Sequence, residues 1–135
     1  MDLFAQLHRF CQKGRYEELR SALYYEKDAL NCVRGLTKRG NTLLHEAVVC
    51  NQADIVQLLL LHDVSPDLRA KGGLTPLHIA ASKGHVGCVK ALLEGQADLL
   101  IRDDSGQDAM MKAERSKSSG RAAVLGLLRS RSEST

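Results

Sequence analysis

The chain has 135 residues and a mass of 14.8 kDa, the size of one compact domain, with 44% hydrophobic residues, 26% charged residues and a net charge of +3. Three Tyr, two Phe and no Trp leave the core to Leu, Val, Ile and Ala, which suits helices better than a β-sandwich. Two prolines and 11 glycines exclude collagen-like or Pro-rich chains, and the mild basic excess is too small to argue for nucleic acid.

In chain order, residues 2–36 contain Leu7, His8 and Gly14, which can be laid over Leu77, His78 and Gly84 of a clearer motif downstream, with Leu19 and Leu23 over Val89 and Leu93. Phe10 then falls in the slot of Ala47 and Ala80, where a ring can cover an open end. From Leu23 to Gly40 the connection is four residues longer than its counterpart from Leu93 to Gly106.

Residues 37–69 and 70–102 are copies of one unit. Gly40, Thr42, Leu44, His45 and Ala47 recur 33 positions later as Gly73, Thr75, Leu77, His78 and Ala80. Lys38, Val56, Leu59, Leu60 and Arg69 recur as Lys71, Val89, Leu92, Leu93 and Arg102, which makes ten identities where ordinary composition supplies roughly two. Each unit reads as helix, turn, helix and loop. Thr75 suits an N-cap and Pro76 the first helical position, where its missing N–H costs nothing. Lys83–Gly84 ends the first helix, and Val86 to Leu93 forms the second, with Val89, Leu92 and Leu93 inward.

Residues 103–129 keep the period more faintly. Gly106 and Ala113 hold the register of Gly73 and Ala80, Gly120 that of Gly87, and Leu125 that of Leu92; Asp108 stands in the place of Thr75. Lys112, Glu114, Arg115 and the run Ser116–Ser119 give this unit a polar character suited to a terminal cap. Residues 130–135 lack apolar periodicity and are expected to be disordered. Arg115-x-x-Ser118 and Arg129-x-x-Ser132 have the spacing of basophilic kinase sites, a pattern common by chance.

The stretch GGLTPLHIAASKGHVGCVKALLEGQADLLIR resembles an ankyrin repeat nearly end to end, and residues 37–69 resemble it with departures. There Leu43 replaces the usual proline, Gln52 the usual histidine and Asp63 the usual glycine; Asp tolerates the left-handed conformation, so that turn survives. The resemblance implies an all-α ankyrin-repeat solenoid of about four helix-turn-helix repeats with short β-hairpin-like loops. It would form a single domain over residues 1–129, with 2–36 and 103–129 as degenerate terminal repeats.

No catalytic pattern competes with this reading. His45–Glu46 fails as a zincin motif because position 49 is valine rather than a second histidine. Phosphate-binding loops, GxGxxG and GxSxG are missing. Cys11 lies three residues from His8, but no orienting group is evident, and packing is the simpler role. Cys11, Cys32, Cys50 and Cys88 form no CxxC pair; reduced, packed thiols are favoured over two disulfides. No enzyme, cofactor or metal site is therefore expected. Thr42, His45, Thr75, Pro76 and His78 are assigned structural roles, the histidines tying adjacent loops together as the resemblance implies.

By the same resemblance, binding belongs to the concave face and the loop tips, through Lys38, Arg39, Val49, Cys50, Arg69, Lys71, Leu74, Lys83 and Arg102. With Arg115, seven cations share this face with only Glu46, Asp103 and Asp104, and Val49, Cys50 and Leu74 are apolar where polar groups are usual. The expected function is noncovalent recognition of another protein with an acidic segment, as adaptor, scaffold or small inhibitor. The alternative, a nucleic-acid-associated regulatory protein using its basic fingers, lacks aromatic platforms for bases. No apolar run reaches the 18 residues of a membrane span, and MDLFAQLHRF lacks the pattern of a signal peptide, so an intracellular monomer, cytoplasmic or nuclear, is expected.

Overall fold

A computed structural model of the chain describes residues 3–25 and 40–133. Eight α-helices pair into four units among these residues: α1 (Leu3–Lys13) with α2 (Tyr16–Tyr25), α3 (Leu43–Val49) with α4 (Ala53–Leu61), α5 (Pro76–Lys83) with α6 (Val86–Glu94), and α7 (Ala109–Arg115) with α8 (Arg121–Glu133). The first helices stack in one row, α1 on α3 on α5 on α7, and the second helices in a parallel row, α2 on α4 on α6 on α8. The architecture is an all-α ankyrin solenoid.

Local chemistry sets where each helix starts and stops. Thr42 Oγ1 accepts from the His45 backbone N–H at 3.3 Å, Thr75 Oγ1 from that of His78 at 3.4 Å, and Asp108 Oδ1 from that of Met111 at 2.9 Å. Three different units thus satisfy the same orphan donor. At the other end, Gly14, Asn51, Asp63, Gly84 and Gln96 all take positive φ, and the next residue's N–H reaches back five residues to a carbonyl. His85 N–H to Ala80 O at 3.0 Å and Ala97 N–H to Leu92 O at 3.0 Å are two examples of this helix stop. Space also favours glycine at position 84, since a Cβ there would lie 2.6 Å from Ser118 Cβ.

The core is continuous through the stack. Leu7, Leu44 and Leu77 are fully or almost fully buried, as are Leu19, Val56, Val89 and Val124 in the second-helix row. Ala47, Ala80 and Ala113 are completely buried, their small side chains letting neighbouring first helices approach closely, while Phe10 in the same slot of α1 is half-buried.

The loops form short fingers, with no strand among the described residues. Two of them are closed like hairpins: Ala70 N–H donates to Leu74 O at 2.7 Å, and Asp103 N–H to Gln107 O at 2.9 Å. Successive fingers are joined by Lys71 N–H to Gly40 O at 3.0 Å and Asp104 N–H to Gly72 O at 2.9 Å. Gly73, at φ +74°, lies against the next finger so closely that a Cβ would sit 3.0 Å from the Asp104 backbone nitrogen.

Two expectations need correction. The last helix continues to Glu133, so residues 130–133 are helical rather than disordered. Nothing after Leu128 breaks a helix, and the Arg131 guanidinium donates to the Leu93 carbonyl, fastening the end of α8 to α6. In addition, α7 begins 33 positions after α5 (109 against 76), but α8 begins 35 after α6 (121 against 86). The extra residues fall in the Ser116–Gly120 turn, so Gly120 precedes its helix as His85 does and the registers of Gly120 and Leu125 move by two. The long connection after α2 lies outside the described residues.

Candidate functional site

The finger side of the molecule is held by two buried histidines. His45 Nε2 lies 2.7 Å from the Leu74 carbonyl, and His78 Nε2 lies 2.9 Å from the Gln107 carbonyl, each reaching into the following unit. A carbonyl can only accept, so in both rings Nε2 carries a proton. Thr42 Oγ1 lies 2.7 Å from His45 Nδ1, and Thr75 Oγ1 2.8 Å from His78 Nδ1; the Thr75 backbone N–H also donates to that Nδ1 at 3.0 Å. Burial lowers the pKa of His45 below its ordinary 6.5, against the opposing influence of the Leu74 carbonyl and Glu46. Pro76 is buried at the start of α5, where it fixes the first turn.

Positions on and beside the first helices fall into rows at 33-residue spacing. One row runs Asn41, Leu74, Gln107; the next Glu46, Ile79, Lys112; then Val49, Ser82, Arg115; and last Cys50, Lys83, Ser116. Polar and charged residues at both ends of the first two rows enclose an apolar centre at Leu74 and Ile79. Leu74, Ile79, Ser82, Lys83 and Lys112, with the edge of His78, line a groove of about 230 Å³ between α5 and α7.

Of the residues assigned to binding, Arg69, Lys71, Lys83 and Arg102 are exposed, while Val49, Cys50 and Leu74 are half-buried. Lys38 and Arg39 lie outside the described residues. The acids of this face behave differently from a solvated rim. Glu46 is buried, bonded by Asn41 Nδ2 at 3.2 Å and 3.6 Å from His8 Nε2. Asp103 is buried too: the Gln107 and Ser105 N–H groups donate to it at 2.9 Å each, and Lys112 Nζ lies at 2.9 Å. The Gln107 hydrogen bond and the Lys112 ammonium hold the Asp103 carboxyl well below the usual carboxylate range. Ser116 is buried as well, donating to the Ser82 carbonyl at 2.8 Å. The exposed remainder is five cations (Arg69, Lys71, Lys83, Arg102 and Arg115) against Asp104.

Ile79 and Lys112 escaped the sequence assignment. The signal was present, since both sit one and two periods after Glu46, which the resemblance had already placed on the face.

Burial pushes the Cys11 thiol up to about 12, with Cys50 and Glu46 adding to the effect, so it is not the thiolate a nucleophile requires. Among the described residues no group of three His, Cys, Asp or Glu could hold a metal ion, and no helix is long and apolar enough to cross a membrane.

The ankyrin-repeat family profile matches residues 39–71 and 72–104. These repeats begin two residues later than the units counted from the sequence, a difference in where the finger is cut. The chain is 38% identical to the human ankyrin repeat domain-containing protein SOWAHD over 106 residues, which is 72% of this chain and 32% of that protein. Similarity extends to the mouse inactive serine/threonine-protein kinase TEX14, 29% over 106 residues, and to the Arabidopsis thaliana E3 ubiquitin-protein ligase KEG, 36% over 72 residues. These matches cover 78% and 53% of this chain but only 7% and 4% of those proteins, so the chain spans a small part of their length. Ankyrin repeats are protein–protein interaction modules, and through residues 39–104 the chain belongs to the ankyrin-repeat family.

Proposed function

We propose that this chain recognises another protein noncovalently, as an adaptor, scaffold or small inhibitor, and that it uses the fingers and the outward face of its first helices. The observation that carries the reading is the imbalance of this face. Two of its three acids, Glu46 and Asp103, are buried and engaged within the protein, whereas Arg69, Lys71, Lys83, Arg102 and Arg115 remain exposed around half-buried Leu74, Val49 and Cys50. Apolar surface ringed by one sign of charge favours a partner with apolar anchors and carboxylates, the charges acting on association rate and selectivity more than on affinity. Lys38 and Arg39 belong to the same proposed surface by their place in the repeat. The free thiols of Cys11, Cys50 and Cys88 suit a reducing compartment, the cytoplasm or the nucleus, and the chain is proposed to be monomeric before it meets its partner.

The test is an affinity capture from cells with the natural protein, Leu74→Glu and Val49→Glu, read beside their thermal melts. Loss of the same bound protein in both variants, with melts shifted by less than about 3 °C, is the expected result. If the captured protein is retained by both, this face is not the binding surface. Steeply salt-dependent binding to duplex DNA, with no captured protein, would replace the reading by nucleic-acid association.

A further inference from the structure

We propose that the groove between α5 and α7 receives a single large apolar side chain of a partner peptide whose flanking residues are carboxylates held by Lys83 and Lys112. The inference rests on the protein-recognition reading and adds the chemistry of what is recognised.

The shape of the apolar surface limits the occupant to one side chain. Leu74 and Ile79 make the floor, and their repeat counterparts are polar on both sides: Asn41 and Gln107 for Leu74, Glu46 and Lys112 for Ile79. A run of apolar residues would place its ends against these groups and strip them of water without replacing their hydrogen bonds. The volume, about 230 Å³, also lies below the roughly 300–1,000 Å³ of pockets that bury drug-sized molecules, so a side chain fits the space better than a free ligand does.

The polar rim sets the flanking chemistry. Both nitrogens of His78 are committed, Nδ1 to Thr75 and Nε2 to the Gln107 carbonyl, so this ring offers a partner nothing. Lys83 is exposed, with no carboxylate bonded to it among the described residues. Lys112 Nζ meets Asp103 at 2.9 Å, and an ammonium has three donors, so it can bond a second carboxylate without releasing the first. Lys83 stands four residues after Ile79 on α5, and Lys112 occupies the Ile79 slot of α7, so the two cations come from different helices around one apolar floor. An apolar residue between two acidic ones matches that order of groups.

The experiment titrates the ¹⁵N-labelled full chain with three blocked synthetic peptides: Glu-Asp-Leu-Asp-Glu, the same with Ala at the centre, and Lys-Lys-Leu-Lys-Lys. The proposal expects saturable shifts at Leu74, Ile79, Lys83 and Lys112 with the first peptide, binding weaker by about tenfold or more with the second because a buried Leu side chain is lost, and none with the third. Ser82→Trp, an exposed position at the mouth of the groove, should block the first peptide while the melt stays in place, and Lys83→Glu should weaken it. Equal binding of the Leu and Ala peptides, indifference to Ser82→Trp, or no saturable binding of any peptide would overturn the proposal. A photocrosslinker at Arg69 keeps that failure separate from failure of the broader reading. Capture of a protein there while no peptide binds removes the groove and leaves recognition by the fingers standing; if neither occurs, both are removed.

Discussion

His45 shows how one side chain can fix both a helix start and the next finger. Its Nδ1 faces the Thr42 hydroxyl at 2.7 Å and its Nε2 the Leu74 carbonyl at 2.7 Å, and burial favours the neutral form of the ring. Its folded pKa is lowered, so below about 6.5 the unfolded chain binds a proton that the folded ring resists. Its contribution is therefore complete above that value and is lost as the pH falls toward the folded pKa. His85, also lowered by burial, acts in the same direction. Urea unfolding at pH 7.5 and pH 5 should show the natural protein less stable at pH 5, and His45→Gln less sensitive to the change. An unchanged pH dependence in the variant would mean that His45 does not carry this term. Gln96 offers a prediction of opposite sign. It takes φ +68° at the helix stop where Gly84 and Asp63 accept the same geometry more readily. Relief of left-handed strain, about 1–2 kcal/mol, exceeds the entropy cost of adding glycine, so Gln96→Gly should stabilise by about 0.5–1 kcal/mol in the same urea assay.

At the level of elements, the helices with caps are legible from sequence because their signals are local. Thr42, Thr75 and Asp108 mark starts, and Gly84 and Asp63 mark stops, each through a bond within a few residues. The end of α8 was not legible for the opposite reason. Its serine- and arginine-rich sequence looks solvated, and what fastens it is a bond from Arg131 to Leu93, 38 residues earlier. The two-residue shift of α8 has a similar origin: Ser116 and Ser118 build a turn against Ser82 and Gly84 of the preceding unit, which a repeat count cannot foresee. If the terminal turn is part of the fold, removal of residues 129–135 should cost about 1 kcal/mol, and Arg131→Ala most of that amount. Circular dichroism melts of the two variants would show it; a truncated chain as stable as the natural one would restore the idea of a dispensable tail.

Across the whole molecule, stacking explains both what the sequence reveals and what it hides. A period of 33 residues locates the buried layers, since every inner unit meets the same neighbours, but the binding rows depend on residues that break the period. Leu74 and Val49 stood out by type; Ile79 became visible only when its groove with Lys112 was seen, and the burial of Glu46 and Asp103 follows from partners in other turns and units. The same logic separates the interior of the stack from its end. Ala47, Ala80 and Ala113 are fully buried, whereas Phe10, in their slot on α1, is half-buried. A leucine at position 80 has no space to enter without pushing α3 or α7 away from α5. Ala80→Leu should therefore destabilise by about 1–3 kcal/mol, whereas Phe10→Leu, which stays apolar and can adjust toward solvent, should cost less than about 1.5 kcal/mol. Chemical denaturation of both variants decides the point. Equal losses would mean that the α1 slot is packed as tightly as the middle of the stack.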